Sequence, residues 1–182
     1  MRDVRRRARP ARVSRPLRTA HVVVAASLLA TTGCATARLE DDRYRSPKGY
    51  QVAVPPNGWT VVNEDDVDLV LRHEHPPARM LVNASCDETV RTLSGRVLAR
   101  QLLMGLKHRT VVERGEVALA GRPAIHVLLE GEDGNEGTRV RVDAYVVKTD
   151  RCVYDFLYVA PAASFAEARG DFQRVLESFR VE

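Results

Sequence analysis

Residues 111–159 read VVERGEVALAGRPAIHVLLEGEDGNEGTRVRVDAYVVKTDRCVYDFLYV. Four runs stand out as strands: Val111 to Leu119, Ala124 to Glu130, Thr138 to Lys148 and Cys152 to Val159. They are rich in β-branched and aromatic residues, which suit a pleated surface. Only short breaks separate them, at Gly121-Arg122-Pro123, at the glycine-rich 131–137 and at Thr149-Asp150-Arg151. Strands joined by turns this short lie antiparallel. In the last run Cys152, Tyr154, Phe156 and Tyr158 share one face, and Val153, Asp155, Leu157 and Val159 share the other. The aromatic face reads as core under a helix, with a ligand surface as the alternative. Asp155 needs a partner if it is buried, and Arg139 or Arg141 on the preceding strand is the candidate for a structural pair.

Towards the C-terminus, Phe165, Ala168, Phe172, Leu176 and Phe179 form one apolar stripe, which predicts a helix from about Phe165 to Phe179. Ser164 and Glu167 have the spacing of a capping box. Towards the N-terminus the spacing of Val90, Leu93, Val97, Leu98, Leu102 and Leu106 predicts one helix over Thr89 to Lys107, with Asp87 or Thr89 as its cap. Gly95 weakens that helix and marks close packing on the sheet. Before it, Tyr50 to Val54, Trp59 to Val62, Asp68 to Glu74 and Arg79 to Ser85 read as strands separated by the turns Pro55-Pro56-Asn57-Gly58, Asn63 to Asp66 and Pro76-Pro77. The fold class is therefore α+β, built on an antiparallel sheet.

Residues 21–36, HVVVAASLLATTGCAT, follow a leader with eight arginines. A charged n-region, a short apolar core and small residues at the cleavage point make a secretory signal. The apolar run is far short of the roughly 20 residues that span a bilayer. Thr31-Thr32-Gly33-Cys34 resembles a lipobox, in which the signal is cut just before a cysteine that carries lipid. Thr31 stands where leucine is usual. Residues 1–33 are then a lipoprotein signal peptide, and Cys34 is the lipidation site. Ala35 rather than aspartate after the cysteine points to the outer membrane in the enterobacterial sorting pattern. Val13 would make a compact alternative start. Residues 34–48 are polar and charged and read as a flexible tether, with the folded domain at 49–182.

The whole chain is formally +4, which invites a nucleic-acid or membrane-surface reading. The leader holds 8 of the 28 basic and 1 of the 24 acidic residues, so residues 34–182 carry 20 and 23, a net of −3. Phosphate-backbone binding needs clustered Lys or Arg, and the sequence shows no cluster. No nucleic-acid partner is expected. With Cys34 lipidated, Cys86 and Cys152 are left as a pair, and export places them where disulfides persist.

Other candidate sites are weak. His73 and His75 would point to one face of a strand, but zinc needs further ligands, and nothing in the sequence places His108 or His126 beside them. The acidic stretches Asn63 to Asp68 and Glu130 to Glu136 lack the ligand order of a calcium loop and read as solvated turns. No nucleophile elbow or phosphate-cradling loop appears. Neither a metal nor a cofactor is expected, and no catalytic residue is assigned.

The order of elements is similar to a known family. Gly49-Tyr50-Gln51-Val52 leads to Pro55-Pro56-Asn57-Gly58-Trp59, then a mid-chain helix, then Val117-Ala118-Leu119-Ala120-Gly121-Arg122-Pro123-Ala124, a hairpin, an aromatic strand and a last helix ending Leu176-Glu177-Ser178-Phe179. This resembles the PsbP-like superfamily, which includes Mog-type Ran-binding proteins and bacterial lipoproteins of the DcrB and LpqN kinds. The resemblance covers about residues 49–180. It implies an α/β/α sandwich and a role as an accessory or binding protein rather than an enzyme. No photosystem or Ran-binding motif is matched, so no site residues follow from it. The expectation is a non-catalytic lipoprotein on the periplasmic face of a Gram-negative outer membrane, anchored through lipid on Cys34 and engaging an envelope protein. A periplasmic small-ligand module with a pocket beside Tyr154, Phe156 and Tyr158 is the alternative.

Overall fold

The computed structural model describes residues 37–134 and 137–182; the expected signal peptide over residues 1–33 and the expected lipidation site Cys34 lie outside them. Eleven strands and three helices make up the described residues. Seven strands form the main sheet: β4 (Trp59–Val62), β5 (Leu69–His73), β6 (Ala78–Ser85), β7 (Leu106–Leu119), β8 (Arg122–Asp133), β9 (Arg139–Lys148) and β10 (Val153–Pro161). Their order is β4-β5-β6-β10-β9-β8-β7, antiparallel at every step. The four strands read from residues 111–159 are β7 to β10, adjacent in space as the short turns require.

A second sheet joins β1 (Arg38–Glu40), β2 (Arg43–Ser46), β3 (Tyr50–Ala53) and β11 (Arg180–Val181). This corrects the tether expected over 34–48 where it is described: Arg38–Glu40 and Arg43–Ser46 are strands. Arg43-Tyr44-Arg45-Ser46 alternates exposed arginines with buried Tyr44 and Ser46, so a four-residue strand with a charged outer face looks like linker in composition alone. Asp68, expected in a solvated turn, clamps this sheet to the main one. It accepts from Lys48 Nζ (2.6 Å), Tyr50 Oη (3.0 Å) and the Ala84 amide (3.0 Å), while the Tyr44 hydroxyl donates to its carbonyl (2.7 Å). Burial pushes the Tyr50 hydroxyl well above its ordinary pKa, with the nearby Asp68 charge adding to the shift. It therefore stays a donor.

The mid-chain helix is two helices, α1 (Glu88–Thr92) and α2 (Gly95–Leu102). Ser94 breaks the run because its hydroxyl accepts from the Val97 amide (3.3 Å), capping α2 and resetting the phase. Val97 is then exposed, while Leu98, Ala99 and Leu103 are buried. Leu106 and Lys107 belong to β7 instead. Asp87 caps α1 as expected, accepting from the Thr89 amide at 2.7 Å. At the start of α2, a Cβ on Gly95 would meet Ile125 Cγ1 at 2.8 Å, so close approach to the sheet requires glycine here. The last helix, α3 (Phe165–Ser178), begins at Ser164 without a side-chain cap; the Ser164 carbonyl takes the Glu167 amide at 3.0 Å. The capping box is therefore not formed.

The two cores lie on opposite faces of the main sheet. On one, α3 and the small sheet cover Leu69, Leu71, Met80, Val82, Tyr154 and Phe156. On the other, α1 and α2 cover Val127, Leu129, Val142, Ala144, Val146 and Val153. The architecture is an α/β/α sandwich with an added small sheet. Replacing Asp68 with alanine strands the Tyr50 hydroxyl and the Ala84 amide. Leaving buried donors unsatisfied costs about 1–3 kcal/mol each. Urea unfolding of Asp68→Ala should show a midpoint lowered by at least that much at unchanged slope.

Candidate functional site

The aromatic face of β10 is filled. Tyr154 and Phe156 pack on Phe179, with ring centroids 5.1 and 5.0 Å apart, and Tyr158 stacks on Phe172 at 5.6 Å. The Tyr158 hydroxyl donates to the Phe165 carbonyl at 2.9 Å. The face is core beneath α3, filled by the described side chains themselves.

A cleft lies on the other side of the sheet. The helix α2 rests over β8 and β9, and its far flank leaves the β7–β8 pair uncovered. β7 is an edge strand with register shifts between Lys107 and Thr110 and between Val111 and Glu113; such bulges bend and twist a strand. The cleft has a volume of about 490 Å³. Ile125, Val127 and Leu129 of β8 make its apolar floor, and Arg96, Arg100, Arg109 and Arg114 make its rim. Arg96 donates to Glu116 (3.1 Å) and Arg109 to the Leu103 carbonyl (2.9 Å). Among the described residues, Arg100 and Arg114 have no hydrogen-bond or ion-pair partner. Composition misses this group, because two arginines come from a helix and two from a strand up to 18 positions away. The one available signal is the i, i+4 spacing of Arg96 and Arg100, which puts them on one side of a helix.

A buried charged cluster sits beneath α3. His126 and Asp143 are 4% and 1% exposed. His126 Nε2 is 2.7 Å from Asp143 Oδ1, and Arg169 Nε donates to Asp143 Oδ2 at 2.8 Å. The imidazole stacks on Tyr145 at 4.4 Å, and its Nδ1 lies 3.7 Å from Glu113 Oε1. A catalytic histidine held by aspartate would present its second nitrogen to a nucleophile. Here that nitrogen faces a carboxylate, and the cluster ties α3 to β8 and β9.

The remaining sequence candidates are apart from both. β5 ends at His73, so His73 and His75 do not share a strand face. The His73 ring lies against Trp59 and over Gly58, with Nδ1 2.8 Å from the Pro76 carbonyl oxygen. His108 lies 3.8 Å from Glu132 on the surface. Among the described residues no group of three or more His, Cys, Asp or Glu is placed to hold a metal ion. Cys86 and Cys152 form a disulfide, with the sulfurs 2.00 Å apart. They continue the β6–β10 pairing past Ser85 and Val153, which stand opposite each other. Cys34 lies outside the described residues.

The cyanobacterial PsbP of Synechocystis sp. PCC 6803 superposes with a TM-score of 0.58 at 18% identity, over 84% of this chain and 96% of its own. The fold is PsbP-like. A Bacteroides thetaiotaomicron protein gives 0.57 at 10% identity, over 78% of this chain and 48% of its own. LpqN of Mycobacterium tuberculosis, described as involved in cell envelope biogenesis, gives 0.52 at 11% identity, over 72% and 82%. No protein-family model and no curated protein sequence matches the chain. In this PsbP-like frame the two arginines expected near Asp155 go elsewhere. Arg139 donates to Glu130 at 3.1 Å and Arg141 is bonded to the same carboxylate, whose pKa they hold below the usual range, Arg141 first.

Among the described residues no ion pair is formed by Asp155, because Arg141 stands opposite Ala160, five residues along the strand from Asp155. Its carboxyl lies on the aliphatic face of β10, across from Asn83 and Val146, and burial pushes its pKa up to about 6. A raised carboxyl pKa means the folded state binds the proton more tightly than the unfolded chain. Stability is then highest below the unfolded value near 4 and falls as pH rises through about 6. Asp155→Asn, which resembles the protonated acid, should stabilise the protein by up to about 2–3 kcal/mol at pH 7 and change it little at pH 4. Denaturation midpoints at the two pH values test this.

Proposed function

We propose that this protein is a lipid-anchored, non-catalytic accessory protein of the bacterial envelope. It is held by Cys34 on the periplasmic face of the outer membrane and engages an envelope protein. The observation that carries the reading is the lipobox Thr31-Thr32-Gly33-Cys34 placed directly before a PsbP-like domain with a bonded cysteine pair. A disulfide persists in an oxidising, extracytoplasmic compartment and is rare in the cytosol, which fits an exported chain. The shared fold with a protein of mycobacterial envelope biogenesis is consistent with that setting. The non-catalytic part is supported by the two constellations nearest to a reactive site. The aromatic face is packed solid, and the buried imidazole is held between carboxylates.

Two measurements test the reading. Replacing Cys34 with alanine should move the protein from the membrane pellet to the soluble fraction, and unchanged retention would contradict the anchor. Cys86→Ser/Cys152→Ser should lower stability by up to about 4 kcal/mol, the chain-entropy value for a cross-link with a sequence separation of 66. Equal denaturation midpoints for oxidised wild type and variant would count against a structural role for the bond.

A further inference from the structure

We propose that the cleft between α2 and the β7–β8 pair binds a single-chain anionic amphiphile: a carboxylate or phosphate headgroup carrying one hydrocarbon chain. The site does not depend on an anchor at Cys34. Its floor and its rim ask for different halves of one molecule. The floor is aliphatic, from Ile125, Val127 and Leu129, and offers no hydrogen-bonding side chain to a polar ligand. The rim is cationic, and its four guanidiniums divide into two kinds. Arg96 and Arg109 already have partners in this chain, Arg96 in an exposed pair with Glu116 and Arg109 on the Leu103 carbonyl. Arg100 and Arg114 are exposed and lack a partner among the described residues.

The lack of a partner is informative because carboxylates outnumber bases over residues 34–182, 23 to 20. Several arginines elsewhere on this surface find acids: Arg45 pairs with Glu182, Arg79 with Glu64, Arg139 and Arg141 with Glu130, and Arg174 with Asp171; what sets Arg100 and Arg114 apart is that both line one apolar cleft. Both open guanidiniums line the same apolar cleft, so an anion held there is attracted by two positive charges. Guanidinium forks match carboxylate and phosphate oxygens in pairs. The volume, about 490 Å³, falls in the range of small-ligand sites. A nucleic acid fits less well. Single strands need aromatic platforms for stacking, and no aromatic side chain lines the cleft.

The test uses the full-length protein in a neutral maltoside detergent, with binding read by native mass spectrometry. The probes are lysophosphatidylglycerol, lysophosphatidylcholine of the same chain length and glycerol 3-phosphate, each below any micelle-forming concentration. Lysophosphatidylglycerol should bind about 10-fold or more tighter than the choline lipid, as one good charge-assisted contact implies. Glycerol 3-phosphate should bind far more weakly than either. Arg100→Gln/Arg114→Gln should reduce lysophosphatidylglycerol binding about 10-fold, while Arg122→Gln, an exposed arginine outside the cleft, should leave it unchanged. Unaltered thermal unfolding would show that both variants are folded. Equal binding of the two lysolipids would overturn the proposal. So would equal losses in the Arg122 and Arg100/Arg114 variants, which would mean diffuse charge attraction. Glycerol 3-phosphate binding as tightly as the lysolipid would also overturn it, because the apolar floor would then play no part.

Discussion

The packing of α3 against β10 is the contact on which the rest of the structure depends. Tyr154, Phe156 and Tyr158 meet Phe165, Phe172 and Phe179 in a continuous layer of rings. Aromatic side chains bury more area than any others, and tilted or offset pairs add to that burial. Three further features follow from this one contact. The chain leaves α3 at Phe179 and returns as β11 beside β3, so the small sheet is fixed by where the helix ends. Trp59 Nε1 donates to Asp171 at 2.9 Å, which ties the edge strand β4 to the same helix. The disulfide then pins the start of β10 to the end of β6. The aromatic layer leaves no room for a ligand because it is the main source of cohesion.

The opposite face is built from smaller aliphatic residues and shorter helices, and its coverage is incomplete. The helix α2 has eight residues, about 12 Å of helix at 1.5 Å per residue. It reaches across β8 and β9 and stops short of β7. Close seating is bought by Gly95 against Ile125, and the same seating leaves the flank of α2 open above the β8 side chains. An incompletely covered sheet face with charged side chains along its margin has the physical character of a binding surface. A fully covered face does not. Asp155 belongs to this thinner side too, and the register explains why neither expected arginine meets it: Asp155 stands opposite Val146, while Arg141 stands opposite Ala160 five residues further along, beside Glu130 on β8.

Much of the fold was legible in the sequence because the signals were local. Alternation in 50–54 and 111–159, the turns between them and the aromatic stripe of the last helix each depend on neighbours within a few residues, and each appears as an element close to its expected bounds. What failed depended on distant partners. Strand β2 exists because Tyr44 and Ser46 meet β3 and Asp68, and four residues with two arginines carry too little apolar signal to reveal it. The single long helix failed because Ser94 competes for the backbone as a cap, a choice that periodicity alone does not register. The site was less legible still. Arg96 and Arg100 are separated from Arg109 and Arg114 by a turn and a change from helix to strand. His126 and Asp143, 17 positions apart, meet only through the β8–β9 register.

Charge in this chain reads differently at each scale, and the length over which charges act decides which scale matters for binding. The whole sequence is basic, and residues 34–182 are mildly acidic, yet the margin of one cleft carries four arginines and draws Glu116 to only one of them. At physiological ionic strength the screening length is about 8 Å, so charges at the margin of the cleft act on a ligand there far more strongly than distant ones. A ligand headgroup at the rim therefore responds to Arg100 and Arg114 and barely to the net charge of the remainder. A small anion meets only the local field. The local cationic margin then favours an anionic headgroup, and the apolar floor distinguishes headgroups that carry a hydrocarbon chain from those that do not.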